Sequence, residues 1–165
     1  MTRVIHDGRA SGTTEFGIRP ARASDADAIV EFNRAMALET EGRTLPEPVV
    51  SPGVRRVFDE PDHGFYLIAE CGGTIIGALM ITYEWSDWRN GRFWWIQSVY
   101  VQPDWRGRGV YRALYDEVRA RARTAGDVCG FRLYVDKENR AAQLAYRSLG
   151  MAESGYLIYE EMIER

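Results

Sequence analysis

Val99-Tyr100-Val101-Gln102-Pro103-Asp104-Trp105-Arg106-Gly107-Arg108-Gly109-Val110-Tyr111 is the stretch from which the rest of the chain can be read. Its β-favouring start runs into Pro103, which ends strand pairing, and a Gly/Arg turn follows. Val110, Leu114 and Val118 then repeat every four residues, the apolar stripe of a helix that closes near Gly126. Residues 131–135 read as the next strand, so the segment is a strand-helix-strand unit. Such a turn suits an anion. Glycines let a phosphate approach the backbone, the first amides of the helix lack partners, and the helix dipole adds positive potential there. Arg106 and Arg108 add two full charges. A tight turn with two solvated arginines has the same spacing, which alone leaves both readings open. A dinucleotide fingerprint would need glycine where Arg112 stands, and a P-loop would need Gly-Lys followed by Ser or Thr; neither pattern is met.

Upstream of this unit the chain reads as hairpins. Residues 65–70 and 74–84 are β-rich and separated by Gly72-Gly73, and Asn90-Gly91 marks a second turn before a strand over 93–101. Before them come a short strand at 16–19 and a helix over 24–38, with Ser24 and Asp27 as a capping box and Ile29, Phe32 and Met36 at helical spacing. A second helix carries Val50, Val54, Val57 and Phe58 and stops at Pro61. Downstream, Asn139 can cap a helix bearing Leu144, Ala145 and Leu149, with Gly150 just past its end and a closing strand over 156–161. The order is β-α-α-β-β-β-α-β-α-β, an α/β fold with a mixed central sheet flanked by helices.

Composition bounds the function. The 165 residues, 45% hydrophobic and 27% charged, suit one domain, read as residues 16–165 after a polar, flexible extension over 1–15. A net charge of −3 offers nucleic acid and anionic lipid no attraction. No apolar run approaches the roughly 18 residues of a membrane span, nor does the N-terminus resemble a secretory signal, so a cytoplasmic protein is expected. Two cysteines and two histidines are too few for a disulfide framework or a zinc site, so no metal is expected.

Two segments together carry a resemblance. Arg106-Gly107-Arg108-Gly109-Val110-Tyr111 is similar to the acetyl-CoA signature Q/R-x-x-G-x-G/A of the GNAT superfamily of N-acetyltransferases, with Tyr111 where Gly or Ala is usual. Asn139 through Tyr146, then Gly150-Met151, resembles that family's N-x-x-A-x-x-x-Y segment. The resemblance spans Ala21 to the C-terminus and implies a GNAT-type sheet and acetyl transfer from acetyl-CoA to an amine. It implies that amides of Arg108, Gly109, Val110, Tyr111 and Arg112 hold the pyrophosphate, beside Arg106, Gly107 and Asn139. Backbone groups of Val99, Tyr100 and Val101 would pair with the pantetheine arm and polarise the thioester carbonyl. It also makes Tyr146 the proton donor to the leaving sulfur, its phenol having a reference pKa near that of a thiol.

The acceptor is read more coarsely. The strands around 81–101 are distantly similar to diamine acetyltransferases, but a carboxylate used there for the amine proton falls on Gln97, which cannot be a base, and Ser98 replaces a second acid. Glu84 and Asp87 are the carboxylates left nearby, with Glu84 preferred. Glu39 and Glu41 after the first helix could attract a cationic amine. Trp85 and Trp88 could cover its apolar stem or form a homodimer surface. A small amine or amino-terminal group is the expected acceptor. A protein-lysine acetyltransferase and a non-catalytic acyl-CoA-binding module are the alternatives.

Overall fold

A computed structural model of the chain describes residues 3–5 and 15–163. The elements are β1 (Arg3–Ile5), β2 (Phe16–Pro20), α1 (Ala26–Glu41), α2 (Glu47–Asp59), β3 (Phe65–Cys71), β4 (Thr74–Ser86), β5 (Gly91–Val101), α3 (Val110–Ala125), β6 (Val128–Leu133) and α4 (Arg140–Ser148). The strands form one mixed sheet in the order β1-β2-β3-β4-β5-β6. Every pair is antiparallel except β5 with β6, which lie parallel because α3 carries the chain back between them. Two compact units divide the chain, one ending at Tyr134 and the other beginning at Val135.

In the first unit, strand alternation sends Tyr66, Ile68, Ala78 and Tyr100 to one face, where they pack with Ile29, Val30 and Phe32 of α1 and Val54 and Val57 of α2. The other face carries Leu67, Leu79 and Ile81, fully buried like Leu114 and Val118 of α3. The tight entry to β3 depends on Gly64, at φ 143°, where an added Cβ would lie 1.8 Å from the Ile81 carbonyl oxygen. Helix α1 closes as a Schellman motif: Gly42, at φ 63°, donates to the Leu38 oxygen, and Arg43 to the Ala37 oxygen.

Three expectations need correction. The start of α1 is not a Ser24 box. A short 3-10 turn precedes the helix, and the Asp25 carboxylate accepts from the Arg22 amide at 2.7 Å and from two Arg19 nitrogens at 2.7 and 3.1 Å. Arg19 also donates to Glu70, so a largely buried ion network fixes the turn. In the segment expected as a flexible lead-in, Arg3–Ile5 pairs with Phe16–Ile18 as an edge strand; residues 1–2 and 6–14 lie outside the described residues. The closing strand over 156–161 does not form. Tyr156, Leu157, Ile158 and Tyr159 are exposed there, and β-favouring residues become a strand only when their amides bond to another strand.

The second unit is built on α4. Asn139 Oδ1 accepts from the Ala142 amide at 3.0 Å, which caps the helix. The Gln143 side chain donates back to the Asp136 and Lys137 carbonyls. Past the helix end, at Gly150 with φ 88°, the Met151 amide returns to the Tyr146 carbonyl.

Candidate active site

Strand β5 changes character halfway along. Its parallel pairing with β6 runs from Arg92 to Ile96 and stops, while its antiparallel pairing with β4 continues to Val101. On the β6 side, Gln97 to Val101 therefore have no partner strand among the described residues. Within this stretch Met80 pairs with Gln97 and Ala78 with Tyr100, so Ser98 and Val99 together oppose Leu79. Two residues against one is a β-bulge, and Ser98 takes φ 48°, a left-handed conformation that a serine rarely adopts. The bulge breaks the alternation, keeping Gln97 and Tyr100 on the same face and turning local backbone groups away from β4.

The strand leads through a 3-10 turn at Pro103–Trp105 into Gly107, at φ 73°, and Gly109, at φ 80°, and then into α3. A Cβ at either glycine would meet nothing within 4 Å, so these positions answer to backbone conformation and face open space. No side chain caps α3 and no acid sits in its first turn. A helix N-terminus that carries neither a capping side chain nor an acid is electrostatically suited to a diphosphate. Tyr111, the departure from the usual signature, lies along the helix beside Tyr115, with ring centroids 6.3 Å apart. Tyr115 in turn meets Phe131, which keeps this row of rings on the flank of α3.

Arg106 and Arg108 are engaged. Arg106 donates from Nε to the Val101 carbonyl at 2.9 Å and from Nη2 to Glu39 at 2.6 Å, with its guanidinium 5.4 Å from the Tyr100 ring. It is a strut between α1 and the turn, and it occupies a carbonyl that the resemblance gave to the cofactor. Arg108 covers Trp105, and Arg112 is exposed on the first turn of α3. Glu39 also accepts from the Tyr100 hydroxyl at 3.0 Å; the Arg106 bond holds its carboxyl below the usual range. The Tyr100 ring is core, packed on Phe32 at 5.0 Å, and only its backbone can face a ligand. Glu41 is exposed and touches Arg43.

Beyond the reach of α1 and α2, the same sheet face carries half-buried polar side chains. Glu84 accepts from Trp95 Nε1 at 2.5 Å and from Arg132 at 2.6 Å, so both of its oxygens are engaged. Gln97 donates to the Thr82 hydroxyl at 2.7 Å. Asp87 accepts from the Trp88 amide at 2.8 Å, as a turn-former does. Trp85 and Trp88 are exposed at this hairpin end. In the second unit, Asn139 spends its oxygen on the cap, and the half-buried Tyr146 phenol is pushed above its ordinary pKa by desolvation, so it keeps its proton at neutral pH. Sequence reasoning missed Arg132 and Thr82. They belong to this face only through strand register, which no local pattern encodes.

Residues 33–151 match the model of the acetyltransferase (GNAT) family. The chain belongs to that family. This GNAT chain is an acyl-CoA-dependent N-acetyltransferase with an α/β mixed sheet, and acetyl-CoA is the acyl donor its family uses. It is 39% identical to a protein from Clostridium difficile 630 described as "a possible acetyltransferase", with a TM-score of 0.84 over 91% of this chain and 99% of that one. It is 29% identical to mouse thialysine N-epsilon-acetyltransferase, covering 81% of this chain and 82% of that protein. A "predicted acetyltransferase with acetyl-CoA" from Clostridium acetobutylicum shares the fold at a TM-score of 0.72, with 20% identity over 88% of this chain and 96% of that one. Among the described residues, no group of three or more His, Cys, Asp or Glu could hold a metal ion, and no helix is long and apolar enough to cross a membrane.

Proposed function

We propose that this GNAT enzyme moves an acetyl group from acetyl-CoA to a primary amine of a small molecule or an amino terminus, by direct attack within a ternary complex. The observation that carries the reading is the unpaired edge of β5 at the Ser98–Val99 bulge running into the uncapped start of α3. An open strand edge suits the amides of a pantetheine arm, and the glycine turn at the N-terminal end of α3, with no side-chain cap and no acid in its first turn, suits its diphosphate. Acetyl-CoA supplies an activated thioester. The chain supplies binding along β5, backbone N–H groups of residues 99–101 to meet charge developing on the carbonyl oxygen, and a proton for the leaving sulfur.

That proton is assigned to Tyr146, on the motif from Asn139 to Tyr146 and on a phenol that stays protonated at neutral pH. Glu84, the carboxylate preferred from the sequence, is committed to Trp95 and Arg132, so in this reading the amine gives up its proton to water before it attacks. A mammalian relative named for an amine on an amino-acid side chain supports the small-amine class. Glu39 and Gln97 contribute less directly: one is held by Arg106 and the other by Thr82, so both shape the acceptor side more than they bind it.

Tyr146→Phe tests the assignment. CoA release from a panel of amines should fall roughly a hundredfold, with acetyl-CoA affinity within about threefold of wild type. Unchanged turnover would remove Tyr146 from the chemistry. Acetyl-CoA binding without release from any amine would leave a binding module in place of an enzyme.

A further inference from the structure

The ion pair on the exposed sheet face is built with more care than a solvated pair requires. In register across three strands lie Thr82 of β4, Trp95 of β5 and Arg132 of β6, followed by Glu84, Phe93 and Gly130 in the adjacent row. Gly130 has no room for a side chain, since a Cβ there would sit 2.6 Å from Phe93 Cε1. The Phe93 ring occupies that space, and the Arg132 guanidinium lies over it at 3.8 Å, with Trp95 at 5.8 Å. Glu84 fixes one edge of the guanidinium through Nη1, and Trp95 Nε1 fixes Glu84. Tyr134 stacks on Trp95 at 4.6 Å and is itself exposed, giving an apolar wall beside the charge.

The result is a guanidinium whose position is set by stacking and by one hydrogen bond, with Nε and Nη2 unspent among the described residues. Those two nitrogens form the fork that receives a carboxylate bidentately. Both partners of the pair are about one-third exposed, 35% for Arg132 and 38% for Glu84, so a ligand can reach them. Trp95 is three residues before Ser98, roughly 10 Å along a strand, a span that the arginine's own reach and a short aliphatic arm can share.

Resting on the acetyl-transfer reading above, we propose that Arg132 is a specificity-determining residue, and that the acceptor is a primary amine on an aliphatic arm whose other end carries a carboxylate. The carboxylate sits in the Arg132 fork, the arm lies along Trp95 and Tyr134, and the distal amine reaches the bulge of β5.

The test uses the full chain with acetyl-CoA and two matched pairs of amines, 6-aminohexanoate with 6-aminohexanamide and lysine with 1,5-diaminopentane. In wild type, kcat/KM should favour the carboxylate-bearing member of each pair by tenfold or more. Arg132→Gln should lower that ratio by about tenfold or more, and Arg132→Lys, which keeps the charge but loses the fork, should fall between. Arg132→Lys also carries the test if Arg132→Gln does not fold, as read by its thermal transition. Turnover of all four amines with a ratio near one, or a ratio that neither variant moves, overturns this proposal and leaves the acetyl-transfer reading intact. Binding of acetyl-CoA with no amine acetylated overturns both.

Discussion

Arg106 joins three parts of the first unit, bonding the Val101 carbonyl, the Glu39 carboxylate and, through its face, the Tyr100 ring. A side chain committed in this way acts on a ligand by holding the turn and not by lending it charge. Arg106→Gln is therefore expected to raise the Kd for acetyl-CoA by less than about fivefold and to leave its salt dependence nearly unchanged, as isothermal titration at two ionic strengths can measure. A direct phosphate contact would cost more and would flatten the salt dependence. Asp25 is the opposite case, invisible in a capping pattern and central in the structure. Its side chain is 9% exposed and that of Arg19 14%, so Asp25→Asn leaves a largely buried cation with Glu70 alone. A loss of about 2–3 kcal/mol in urea unfolding is expected, at the low end for a broken buried pair because Glu70 remains. Asn139 illustrates how far residue-level reading reaches: its cap was legible from Asn before a helical stripe, and capping consumes the oxygen that a cofactor role would need.

At the level of elements, both hairpins, the Pro61 stop and the α3 stripe were legible because each is signalled by residues adjacent in sequence. Gly72-Gly73 and Asn90-Gly91 sit at turns, with Asn90 at φ 45°. The bulge at Ser98–Val99 was not legible, because it is a property of how β5 meets β4, and Ser98 carries no mark of the left-handed backbone it adopts. The strand expected over 156–161 failed for a related reason: its residues favour β structure, but pairing requires a neighbour that sequence cannot supply. Gly109→Ala places a Cβ in open space, so its cost is the left-handed strain of an L residue, about 1–2 kcal/mol, relieved by shifting the turn. Because the amides behind it hold the diphosphate in the proposed reading, acetyl-CoA affinity is expected to fall about tenfold while the fold survives. Gly64→Ala should do the reverse. Its Cβ would collide with the Ile81 backbone, so the expected outcome is an unfolding free energy lowered by several kcal/mol, read by urea denaturation.

For the molecule as a whole, acid stability follows from how its carboxylates are paired. Arginines hold the carboxyls of Asp25, Glu39 and Asp127 below their usual range, in each case chiefly through a direct hydrogen bond. A carboxyl depressed in the folded state binds fewer protons there than in the unfolded chain. It therefore contributes stability that is fully present above the unfolded pKa, about 4, and that is lost as pH falls through the folded pKa. Glu39 and Asp127 are more than one-third exposed, so solvent screens most of their share, and Asp25 carries the effect. Urea midpoints should be nearly level from pH 7 to pH 5 and drop steadily below about pH 4. Asp25→Asn should begin from a lower midpoint at pH 7 and lose less on acidification, the two curves converging as Asp25 becomes protonated in the wild type. Parallel curves would mean that the Arg19 pair is not the acid-sensitive element, and the drop would then have to come from carboxyls elsewhere in the chain.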